Sequence, residues 1–166
     1  TDISFGTATV FESAGSFNIS ASFDSTNNKV VFTYRDADNS NYGTAIVATI
    51  SGTSVTYGSP TVFNSDYVGN LDITVDTNVD RIAISWANST SANAGKMIIG
   101  AVSGTSLSFG SAAVYERANA SETGMAFDSS NNKVLICYQD GGDNDEGVAR
   151  VGTISGTSIS YGTATK

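Results

Sequence analysis

The sequence predicts an all-β fold: three 52-residue repeats, each a four-stranded antiparallel meander, arranged as β-propeller-like blades. Three observations carry that expectation. No stretch places apolar residues at helical spacing, and β-branched and aromatic residues fill the apolar positions. Gly, Ser, Thr and Asn crowd between the apolar runs, and Pro60 is the single proline, which suits short strands joined by tight turns. Finally, Ser51-Gly52-Thr53-Ser54-Val55-Thr56-Tyr57-Gly58 returns from Ser103 to Gly110 and from Ser155 to Gly162, each time 52 residues on.

The repeats run over residues 3–54, 55–106 and 107–158, with a terminal strand over 159–166, and residues 1–166 read as a single repeat domain. In each, a first strand opens at the apolar-Ser/Thr-aromatic-Gly text and ends at Phe11, Phe63 or Tyr115. Divergent residues 12–18, 64–70 and 116–122 follow and read as loops. A second strand (19–23, 71–75, 123–127) ends at Asp24, Asp76 or Asp128, where Asp/Asn-rich text predicts a turn. A third strand covers 30–35, 82–87 and 134–139. A second divergent loop (36–42, 88–94, 140–146) ends at a glycine, and a fourth strand leads into Ser-Gly-Thr-Ser, read as a hairpin turn.

The third strands set the larger residues on one face (Val30, Phe32, Tyr34; Ile82, Ile84, Trp86; Val134, Ile136, Tyr138) and small, hardly charged ones on the other (Val31, Thr33; Ala83, Ser85; Leu135, Cys137). That predicts sheets covered on both sides, which favours stacked blades. A β-trefoil and a three-sheet prism are the alternatives. Residues 3–11 duplicate text found again from 159, so one strand is present beyond three full sets; this predicts ring closure or self-association into a homo-oligomer or filament.

A net charge of −8 argues against nucleic acid and anionic membrane surfaces, and no apolar run approaches the ~18 residues of a membrane span. The start at Thr1 without Met suggests a processed form or part of a longer protein. There is no histidine, which removes the commonest general base and zinc ligand. The sialidase-type Ser-x-Asp-x-Gly-x-x-Trp box is absent, and no carboxylate pair is singled out, so the expectation is no enzyme and no cofactor. The single cysteine, Cys137, matches Thr33 and Ser85 in the other repeats and reads as a small buried residue.

If the chain binds a ligand, the candidates lie at the divergent-loop end. Tyr34, Trp86 and Tyr138 each precede a polar residue by two positions: Asp36, Asn88 and Asp140. An aromatic face beside a carboxylate or amide suits sugar rings, and the same residues also suit a core cap. Asp36 and Asp38 in the first repeat, and Asp140 and Asp143 in the third, are weak calcium candidates; no loop pattern is complete, and the second repeat offers only Asn88, Ser89, Thr90 and Asn93. Asp24 with Lys29, Asp76 with Arg81 and Asp128 with Lys133 read as charged pairs bracketing a turn.

The text Phe-Asp-Ser-x-Asn-Asn-Lys-Val followed by Tyr-x-Asp, then Gly-x-Ala-x-Val-x-Thr-Ile-Ser-Gly-Thr-Ser, resembles tandem repeats of tail-fibre-like structural proteins of marine phages and of cyanobacterial surface proteins. It spans all three repeats; the second departs most, at residues 75–81 and 86–88. The resemblance implies a non-enzymatic structural or adhesive module of a virion or extracellular assembly. The alternative is a lectin-like carbohydrate-binding module with one shallow site per repeat, reading surface glycans.

Overall fold

A computed structural model describes residues 2–88 and 92–166. Those residues form an all-β protein with no helix. Twelve antiparallel strands make one hydrogen-bonded sheet that does not close: β1(Ser16–Asp24), β2(Lys29–Asp36), β3(Tyr42–Ser51), β4(Ser54–Tyr57), β5(Thr61–Asp76), β6(Arg81–Asn88), β7(Ala94–Ser103), β8(Ser106–Phe109), β9(Ala113–Asp128), β10(Lys133–Asp140), β11(Glu146–Ser155) and β12(Ser158–Tyr161).

The sheet folds into three sections because two strands serve two neighbours each. The first half of β5 pairs with β3, and its second half pairs with β6. β9 does the same between β7 and β10. The expected loops at 64–70 and 116–122 are therefore strand, in the middle of β5 and β9. Their weak apolar alternation reflects a handover between partners, where neither face is continuously covered. The handover is made at a bulge: Asn70 and Glu122 sit at φ 49, beside register breaks, and Asn18 in β1 at φ 51. Asn is among the few side chains that tolerate that region.

The Ser-Gly-Thr-Ser text is the expected hairpin turn. Ser51 pairs with Ser54 around Gly52 (φ +58), and Gly104 and Gly156 take the same conformation. The Asp turns also form, with the aspartate side chains bonding the local backbone as Asp/Asn-rich text predicts. Asp24 Oδ1 accepts the N–H groups of Thr26 and Asn27, Asp76 Oδ1 those of Asn78 and Val79, and Asp128 Oδ1 those of Ser130 and Asn131. These carboxylates close the turn instead of pairing with the basic residue across the ladder; Lys29 Nζ donates to Thr49 and Arg81 to the Gly156 carbonyl. Arg81 thus ties an Asp turn to a Gly turn, so both turn types lie at one end.

The core consists of two layers. Val31, Ala45 and Val47, on the small-residue face of the first section, meet Ile82, Ile84 and Trp86 of the second. Ala83, Met97 and Ile99, on the other face of the second, meet Val134, Ile136 and Tyr138 of the third. Large residues therefore face small ones across each layer, and the middle section is covered on both sides, as the strand faces predict. Hydrogen bonds add to both layers: Ser20 Oγ donates to Asp72 Oδ1 at 2.9 Å, and the Met125 N–H to Asp72 Oδ2 at 2.7 Å.

Candidate functional site

The predicted aromatics are interior. Trp86 and Tyr34 are fully buried and Tyr138 nearly so. Each packs at a steep angle against a ring from the segment before it: Trp86 lies 5.3 Å from Phe63, Tyr34 5.2 Å from Phe11, and Tyr138 5.1 Å from Tyr115. Strand alternation that puts them at a strand end also turns them into the layer, so they present no ring face to a sugar. The Tyr34 hydroxyl donates to Glu12 Oε2 at 3.3 Å, and the Tyr138 hydroxyl to Glu116 Oε2 at 3.1 Å. Burial, then Glu116, pushes the Tyr138 phenol up to about 12; burial and Glu12 raise Tyr34 further. Burial works against the Glu116 charge, but the Ala118 and Arg117 N–H groups, the Tyr138 hydroxyl and Arg150 outweigh it and hold that carboxyl below its usual range.

The polar partners close loops. Asp36 Oδ1 accepts the Asn39 N–H at 3.2 Å, Asp140 Oδ1 accepts the Gly142 N–H at 3.0 Å, and buried Asn88 donates to Asp66 at 3.4 Å. For calcium, no three His, Cys, Asp or Glu side chains converge among the described residues. Asp36 and Asp38 are not gathered with a third ligand, and Asp143 instead pairs with Lys166, which also reaches Glu146 at 3.0 Å. Ser89 and Thr90 lie outside the described residues.

The same end carries a polar cleft of ≈ 300 Å³, lined among others by Asn18, Arg35, Tyr67, Asn70, Asn93 and Asn119. The Arg35 guanidinium lies between the Phe17 and Tyr67 rings, 4.7 and 4.6 Å from their centroids, and donates to the Tyr67 hydroxyl. Asn18, Asn70 and Asn93 have positive φ. Sequence reading missed this cleft because its residues come from three different repeats, and all those named except Arg35, which reads as the end of a strand, fall in divergent-loop text. Asparagine at both 18 and 70 was the available signal. Arg35 is replaced by Ala87 and Gln139 at the matching positions, so the arrangement occurs once.

The other exposed feature is apolar. The outer face of the third section leaves Leu135 38% and Val151 44% exposed, whereas their counterparts Val31, Ala83, Val47 and Ile99 are at 0%. Cys137 is exposed there, contrary to the buried position expected; Thr33 and Ser85 are buried because the next section packs on theirs, whereas no section among the described residues packs on Cys137. Two shallow grooves meet at Leu135, one reaching Phe127 and Val151, the other Met125 and Cys137. Comparison with protein-family models, curated protein sequences and solved structures finds no match.

Proposed function

We propose that the chain is a stack of three blade-like repeats serving as a non-enzymatic structural or adhesive module of a virion or extracellular assembly. One observation supports this most: sections pack large face on small face, and the matching face at Leu135, Cys137 and Val151 is left open among the described residues. Such an arrangement adds units by repeating its own internal contact. The linear strand order, with no end-to-end pairing, suits open blades better than a closed trefoil barrel. The virion or extracellular setting rests on the resemblance of the repeat text alone. The reading needs no cofactor and places no catalytic residue.

A carbohydrate-binding role has one feature in its favour, the Arg35–Tyr67 cleft with its asparagine amides. A glycan array separates the two. Reproducible binding that is lost in Tyr67→Ala makes glycan recognition the primary role; silence on the array, with mass rising with concentration in sedimentation, supports the structural module.

A further inference from the structure

Residues 2–15 occupy the place of an outer strand although no strand pairs with them. Phe11 meets Tyr34 as Phe63 meets Trp86 and Tyr115 meets Tyr138. Glu12 accepts the Ala14 N–H at 3.0 Å and the Tyr34 hydroxyl, as Glu116 accepts the Ala118 N–H at 3.0 Å and the Tyr138 hydroxyl. A Cβ on Gly6 would come 1.9 Å from the Thr53 carbonyl; on Gly58 and Gly110 it would come 2.1 Å from the Thr105 and Thr157 carbonyls. Yet β1 begins only at Ser16, whereas β5 and β9 begin seven positions earlier in register, at Thr61 and Ala113. The strand that pairs with those early residues, β3 or β7, has no counterpart before β1. Phe5 is left 90% exposed and Val10 77%.

The complementary edge is on β11. β3 pairs with β5 through Tyr42, Gly43 and Thr44, and β7 with β9 through Ala94, Gly95 and Lys96. The matching residues 146–148 pair with β10 on one side and with no strand on the other. A Cβ on Gly43 would meet the Phe63 ring at 2.5 Å, and one on Gly95 the Tyr115 ring at 2.2 Å; on Gly147 it would meet nothing within 4 Å.

We propose that residues 9–15 of one copy add to the β11 edge of a second copy, with Val10 opposite Val148, Glu12 opposite Gly147 and the Phe11 ring over Gly147. This partner choice rests on the repeat-module reading above. The register is the one the chain already uses twice, and it lays exposed Phe23 and half-buried Val30 of one copy over Leu135, Cys137 and Val151 of the other. The contact is heterologous, so it propagates head to tail. Residues 3–9 and 159–165 differ only at Phe5/Tyr161 and compete for one stretch of β11. The chain's own tail, held by the Ala149–Thr165 bridge and by Lys166 on Asp143 and Glu146, is a placeholder that the incoming strand displaces.

The test uses the full chain. Sedimentation over a concentration series is combined with the rate at which Cys137 reacts with a thiol reagent. The unaltered chain gains mass with concentration while its Cys137 reaction slows. Thr165→Pro, which removes the N–H that holds the tail to Ala149, assembles more readily. Gly147→Val leaves the single copy folded, because its Cβ meets nothing there, and weakens assembly about tenfold or more by filling the ring's place. Assembly of Gly147→Val equal to that of the parent overturns this pairing while leaving the module reading intact. Single-copy mass and fast Cys137 reaction at every concentration, in Thr165→Pro as well, overturn both.

Discussion

The second and third sections share a strand pattern and differ in what lies on their small-residue faces. In the second, Ala83, Ser85 and Ile99 are buried under the third section; in the third, Leu135, Cys137 and Val151 face outward. The same contrast holds at the turns, where Asp76 is buried and Asp128 is exposed although both accept the same two backbone bonds. Burial here is a property of position in the stack. A residue's type decides only whether it is suited to being covered.

The sharpest way to break that comparison is to hollow the covered side. Trp86→Ala removes the largest buried side chain from the layer between the first and second sections and is expected to cost ~3–5 kcal/mol by denaturant unfolding. Leu135→Ala on the open face is expected to cost well under ~1 kcal/mol in the same assay at concentrations where single copies prevail. A smaller contrast comes from the turn carboxylates. Asp76→Ala is expected to cost ~1.5–3 kcal/mol, because two backbone N–H groups lose a charged acceptor that is itself buried. Asp128→Ala costs less, since water replaces the carboxylate. Equal losses at the two positions would remove the claim that covering by the next section is what matters.

The smallest effect appears only in alkali. Burial and Glu116 raise the Tyr138 phenol above its ordinary value of 10.0, to about 12, so the folded state favours the neutral form. Its contribution is complete below pH ~10 and is lost as pH rises through the interval between the two values. A thermal midpoint measured across pH 9–12 should fall less steeply in Tyr138→Phe than in the parent chain.

Much of the fold was legible because the repeat text supplied the same evidence three times. Alternation along residues 82–87, large then small, was enough to predict two-sided burial, and Gly52 was enough to mark a hairpin. What the text concealed was β5. Residues 64–70 looked like a loop because their side chains follow no single face, and the strand changes partners within them. The candidate site was harder. Tyr34, Trp86 and Tyr138 were rightly grouped as one position, but one dimension of sequence does not say whether an aromatic at a strand end faces a ligand or the ring of Phe11, Phe63 or Tyr115. The cleft at Arg35 and Tyr67 needed 32 residues of chain to come together.

By itself the sequence determined the turns, the spacing and most of the strands, since these depend on local propensity and a period of two. Only the tertiary structure decided which of three near-identical faces was covered. Thr33, Ser85 and Cys137 occupy one position in the text, and the first two are buried while the third is open, because coverage comes from a neighbouring section and no residue carries its neighbour within its own sequence.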